Sequence, residues 1–163
     1  MKKISYLTIL YLLLINISGC SGYKPIFSSS NFQFEIADYL IEGNKKLGNQ
    51  IYFRLLNLSK SNKNQDQKTS IYITIKVSKE KNATAKDSTG KILEYRMNLN
   101  TSVIVKNYLT DENILNHNFD FSTSYKAQDQ FHKTSKLEDK SIEDLLNRTY
   151  QELLIKLSEE IST

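Results

Sequence analysis

From Leu93 to Val105 the chain keeps Leu93, Tyr95, Met97, Leu99, Thr101, Val103 and Val105 on one parity, with mostly polar residues between them. A period of two is the mark of a strand with one buried face, because successive side chains point to opposite sides of a sheet. Two further runs share it. Ile71, Ile73, Ile75 and Val77 alternate with Tyr72, Thr74 and Lys76, and Leu115, His117, Phe119, Phe121, Thr123 and Tyr125 repeat the pattern. Segments this close in sequence are expected to pair as antiparallel hairpins. The first hairpin's far end, Ser78 to Lys91, carries Asp87-Ser88-Thr89-Gly90 as turn chemistry, and the second turns around Thr110-Asp111-Glu112-Asn113.

Helical periodicity brackets these strands. Leu47, Ile51, Leu55 and Leu58, widened by Tyr52 and Leu56, predict an amphipathic helix over 45–59. The Ser59 to Lys68 stretch, polar throughout, reads as a loop. Residues 126–140 are polar and charged. Ser141 with Asp144 then resembles a capping box, opening a helix over 141–161 on Ile142, Leu146, Thr149, Leu153 and Leu157, widened by Leu145, Leu154 and Ile161. Before the first helix, Phe32, Phe34 and Ile36 alternate with Gln33, Glu35 and Ala37 as a strand closed by Gly43-Asn44. The expected fold class is therefore α+β in the order β-α-β-β-β-α. It is a two-layer sandwich, a four-stranded mostly antiparallel (mixed) sheet with two helices on one face. The first strand, followed by a helix, is expected to lie parallel to a neighbour.

A chain of 163 residues is one domain's worth, large enough to bury a core without disulfides. Its formal charge of +4 falls further if Lys2 and Lys3 are removed, too small an excess for a nucleic-acid binder.

Residues 1–19 have the parts of an export signal. Lys2 and Lys3 form a basic start, Ile4 to Ile15 an apolar centre, and small residues precede the only cysteine. The apolar stretch falls short of the roughly 20 residues that span a bilayer, and no basic stop-transfer cluster follows. Ile17-Ser18-Gly19-Cys20 looks like a bacterial lipobox, in which cleavage before Cys20 leaves its thiol as a lipid thioether. Cys20 is then consumed, leaving no thiol for disulfides or metals. Ser21 after it, in place of aspartate, favours the outer membrane of a Gram-negative envelope, with the domain facing the periplasm. Residues 20–30 form a tether ending in Ser28-Ser29-Ser30, and 31–163 a single domain. Tyr23 to Phe27 carry enough apolar surface that tether and packing on the body are equally open readings.

The lipobox, the Gly22-Tyr23-Lys24-Pro25-Ile26-Phe27 stretch after it, the element order and the terminal amphipathic helix together resemble the lipopolysaccharide-assembly lipoprotein family LptE, in its alphaproteobacterial form. That branch reads Cys-Gly-aromatic-basic-Pro-aliphatic-aromatic; this chain departs by Ser21 between Cys20 and Gly22. The resemblance implies a non-enzymatic partner of an outer-membrane β-barrel, LptD, which it plugs while assisting lipopolysaccharide delivery. The closest rival is an auxiliary lipoprotein of an ABC-type phospholipid transport system.

Nothing in the sequence supplies a catalytic motif: there is no HExxH, no paired cysteine, no phosphate-binding glycine loop and no serine elbow. No enzymatic activity, cofactor or metal is expected. His117, on the apolar parity of a strand, reads as a partly buried structural histidine, and His132 as a loop residue. The first hairpin's end gathers Lys79, Lys81, Lys86 and Lys91. Two readings stand for them: a solvated hairpin end, or contacts to the phosphates of lipid A or to an acidic barrel wall, for which a point-like ammonium is suited.

Overall fold

The computed structural model describes residues 34–61 and 68–161. The signal segment 1–19, Cys20, the tether 20–30, Phe32 and most of the loop expected after Ser59 lie outside the described residues. The elements are β1 (Phe34–Gly43), α1 (Lys45–Ser61), β2 (Thr69–Lys86), β3 (Ile92–Asn107), β4 (Asn113–Lys126) and α2 (Phe131–Ile161). They form an α+β sandwich whose four strands lie in the order β1-β2-β3-β4. β1 runs parallel to β2, and the other pairs are antiparallel.

The single apolar parity of each strand becomes the face under the helices. Ile71, Ile73, Ile75, Val103 and Val105 are fully buried there, with Leu55 of α1 and Leu153 of α2 above them. Leu93 keeps the parity but lies at the strand's end and is 45% exposed. Thr101 is buried on this face, and its hydroxyl has no hydrogen-bond partner among the described residues.

β1 stops where the backbone must turn. Gly43 has φ +69°, and a Cβ there would stand 2.2 Å from the Val77 carbonyl oxygen. Only glycine fits. Asn44 then caps α1, its carboxamide oxygen accepting from the Leu47 amide at 3.2 Å. α1 also lies close on the sheet, because Gly48 leaves room for the Ile41 side chain.

Two boundaries differ from expectation. β2 does not break down after Val77 but continues to Lys86, pairing with β3 as far as Ile92. The turn itself is where the sequence puts it: the Asp87 carboxylate accepts from the amides of Thr89 and Lys91, and Gly90 takes φ +86°. The last helix begins at Phe131, ten residues before Ser141, and Ser141 is a buried mid-helix residue rather than a cap. The reason lies in how its first third is held. Residues 131–140 offer Leu137 to the core but rely on a polar contact through Glu138, which apolar periodicity cannot register.

Candidate functional site

The long hairpin carries α2 across its far end. Lys79 and Lys81 fall on the buried parity of β2, opposite Leu99 and Met97 of β3, so both point toward the helices. Both meet one carboxylate, Glu138 of α2, at 3.8 Å and 2.5 Å respectively. Lys81 also lies over the Tyr95 ring, 4.2 Å from its centroid, and Tyr95 stacks on Tyr125 at 5.7 Å. The Tyr125 hydroxyl donates to Glu138 at 3.3 Å. The hydrogen bond from Lys81 holds the Glu138 carboxyl below its ordinary range and, reciprocally, raises the Lys81 ammonium. Burial pushes the Tyr125 phenol up.

The other two lysines point away from this knot. Lys91 pairs with Asp129 at 2.8 Å, which raises the lysine and lowers the aspartate. Lys86 is exposed at the end of β2. Thus the structure joins Lys79 to Lys81 through Glu138 and sets Lys86 and Lys91 outside, at the turn. His117 is half-buried, its ring packed edge-on against Phe119 with the centroids 4.7 Å apart. Among the described residues no group of three or more His, Cys, Asp or Glu is placed to hold a metal ion, and no helix is long and apolar enough to cross a membrane.

A groove of about 520 Å³ separates the two helices. Lys46 and Arg54 line the α1 side, and Glu138, Asp139 and Glu143 the α2 side. Deeper along the helices they are tied together, with Arg54 donating to the Asn147 side chain at 2.7 Å and the Tyr150 hydroxyl to the Arg54 carbonyl.

Among the described residues nothing covers the sheet face opposite the helices, and that face is polar. Across the strands Ser78 faces Asn100 and Asn100 faces Asp120, while Lys76 faces Ser102 and Ser102 faces Asn118. These six side chains line a shallow depression of about 230 Å³. Asn98, Ser122, Asn116 and Ser124 extend the same surface. Short amides and hydroxyls dominate, each able both to donate and to accept. The signal was in the sequence, on the parity opposite the apolar runs, but a polar face of this kind is also what an ordinary half-solvated sheet shows.

No protein-family model matches the chain, and no curated protein matches it. Solved structures do. The chain superposes on rare lipoprotein B from Shewanella oneidensis with a TM-score of 0.54 at 16% identity, covering 77% of this chain and 97% of that one. Against lipoprotein B from Nitrosomonas europaea the TM-score is 0.60 at 16% identity, covering 87% and 94%. The fold is that of these lipoproteins. A minor lipoprotein from Acinetobacter baumannii shares it as well, with a TM-score of 0.54 at 12% identity over 78% of this chain and 93% of that one. At such identities the likeness is one of fold, and it spans nearly the full length of each neighbour.

Proposed function

We propose that this protein is an outer-membrane lipoprotein, anchored through Cys20 and facing the periplasm, that serves as the non-catalytic partner and plug of an LptD-like β-barrel in lipopolysaccharide assembly. The observation that carries the reading is the uncovered sheet face. One side of the sheet is sealed by α1 and α2, while the other presents amides and hydroxyls, with Lys76 and Asp120 as the charges at its centre. The interior of a wide outer-membrane barrel is polar and watered. A surface rich in Asn and Ser meets such a wall through direct and water-bridged hydrogen bonds.

The fold shared with bacterial lipoproteins supports the anchor, and so does the placement of the only cysteine at the end of an export signal. Two or more acyl chains hold a protein firmly, at about 0.8 kcal/mol per buried methylene. The tether also keeps the domain near a barrel in the same membrane and raises its effective concentration there. Lys86 and Lys91, exposed at the hairpin turn, are the positions offered to lipid phosphates.

Site-specific photocrosslinking in cells tests the proposal. A crosslinker at Asn100 or Asn118 is expected to capture an outer-membrane barrel protein. Capture of a phospholipid-shuttling complex instead would move the protein to the rival transport system.

A further inference from the structure

The turn between β3 and β4 lies at the end of the domain from which the chain runs back toward Cys20. β1 begins with Phe34 opposite Thr69 and Glu35 opposite Ser70, and the Ser70 carbonyl accepts from the Tyr108 amide at 2.9 Å. The turn therefore starts level with the second residue of β1, two strands across the sheet from where the described chain begins. Thirteen residues, 21–33, separate Phe34 from Cys20. A chain of that length reaches at most about 47 Å. The opposite turn at Ser88 lies a whole β2 strand away, about 50 Å.

The turn is well built. The Asn107 side-chain oxygen accepts from the amides of Leu109 and Thr110, at 2.9 and 3.1 Å. The Asn107 amide donates to the Glu112 carbonyl, the Asp111 amide to the Asn107 carbonyl, and Asp111 takes φ 56°. Lys106 pairs with Asp111 at 2.9 Å. What this frame holds out is apolar: Tyr108 is 53% exposed and Leu109 84%. Other exposed apolar side chains lie elsewhere. Tyr39, Leu40 and Phe53 run along the β1 side, and Leu93 and Phe131 are at the far end.

We infer that Tyr108 and Leu109 seat in the headgroup region of the bilayer that holds the Cys20 lipid, so that the domain stands on its β3–β4 turn. The inference rests on the reading of Cys20 as the lipid anchor. An aliphatic side chain beside a tyrosine suits that boundary, where the ring is apolar and the hydroxyl stays wet. Asp111 and Glu112 flank the tip, and Lys106 is already paired, so the turn has no cationic surplus for anionic lipid. The matching surface is zwitterionic phospholipid, and the contact is insensitive to salt.

The contact orients the molecule. With the turn on the membrane, the far hairpin end with Lys86 and Lys91 points away from the anchoring leaflet.

The test uses the mature lipidated protein in phosphatidylethanolamine–phosphatidylcholine vesicles containing spin-labelled lipid. Cys20 is a thioether there, so an introduced cysteine is the one reactive thiol. A fluorophore at Leu109→Cys is expected to be quenched several-fold more by the spin-labelled lipid than one at Ser88→Cys, and several-fold less by aqueous iodide. Equal quenching at the two sites, with the protein floating with the vesicles, would overturn the contact while leaving the anchor intact. Protein that fails to float would overturn the anchor itself, and the contact with it.

Discussion

Glu138 of α2 accepts a hydrogen bond from Lys81 of β2, and this contact fastens the first third of the longest helix to the end of the longest hairpin. The pair is about a quarter to a third exposed. It is completed by the Tyr95 face under the ammonium and the Tyr125 hydroxyl on the carboxylate. Charge-assisted hydrogen bonds of this kind are stronger than neutral ones.

That linkage gives the region a pH dependence with a definite sign. The Glu138 carboxyl in the folded protein lies below its ordinary value of 4.5. Its contribution is thus complete above pH 4.5 and is lost as pH falls through the folded value. Lys81 lies above its ordinary 10.5, so its share is complete below 10.5 and is lost only in strong base. Glu138→Gln is expected to cost about 1–2 kcal/mol at neutral pH and to flatten the acid limb. Hydrogen exchange over residues 131–140, followed from pH 7 to pH 3, checks both. An unchanged acid limb in the variant would show that another group carries it.

Thr101 offers the opposite kind of test. Its hydroxyl is buried without a partner beneath the helices, and an unsatisfied polar atom there costs about 1–3 kcal/mol. Thr101→Val is nearly isosteric and removes the orphan. Denaturant unfolding is expected to show a gain of about 1 kcal/mol, and a loss would mean the hydroxyl has a partner in solution.

Gly43→Ala should be among the most damaging single methyl additions. The new Cβ would meet the Val77 carbonyl oxygen at 2.2 Å in a left-handed backbone. A cost of at least about 2 kcal/mol follows, read as a lower midpoint of thermal unfolding.

Charge reversal at the outward lysines, Lys86→Glu with Lys91→Glu, is expected to weaken lipopolysaccharide binding several-fold with circular dichroism unchanged. Only the exposed pair with Asp129 is lost, and such pairs contribute little to stability. Binding equal to that of the parent protein would remove the phosphate role.

The strands, the first helix and the class of fold were legible because their information is apolar and periodic. Val103 and Val105 point down, Asn100 and Ser102 point up, and a one-residue slip would expose the first pair. The signal weakened where polar groups do the fastening. Lys79 and Lys81 continue the buried parity of β2, yet as lysines they read as a solvated hairpin end, and Glu138 hides the first ten residues of α2 for the same reason. Reading these needs the partner across the fold, which sits 57 residues from Lys81. The Asn and Ser face was visible as a pattern but not as a site, since solvent and a barrel wall ask for the same side chains.

Purification of the lipidated protein from envelope membranes in mild detergent, at native abundance and with mass spectrometry of what accompanies it, tests the proposed role most directly. The expected result is a stable complex with a large outer-membrane β-barrel, lost or weakened when Asn100 and Asn118 are replaced by arginine. Recovery of the protein alone, or together with a phospholipid-transport complex, would contradict it.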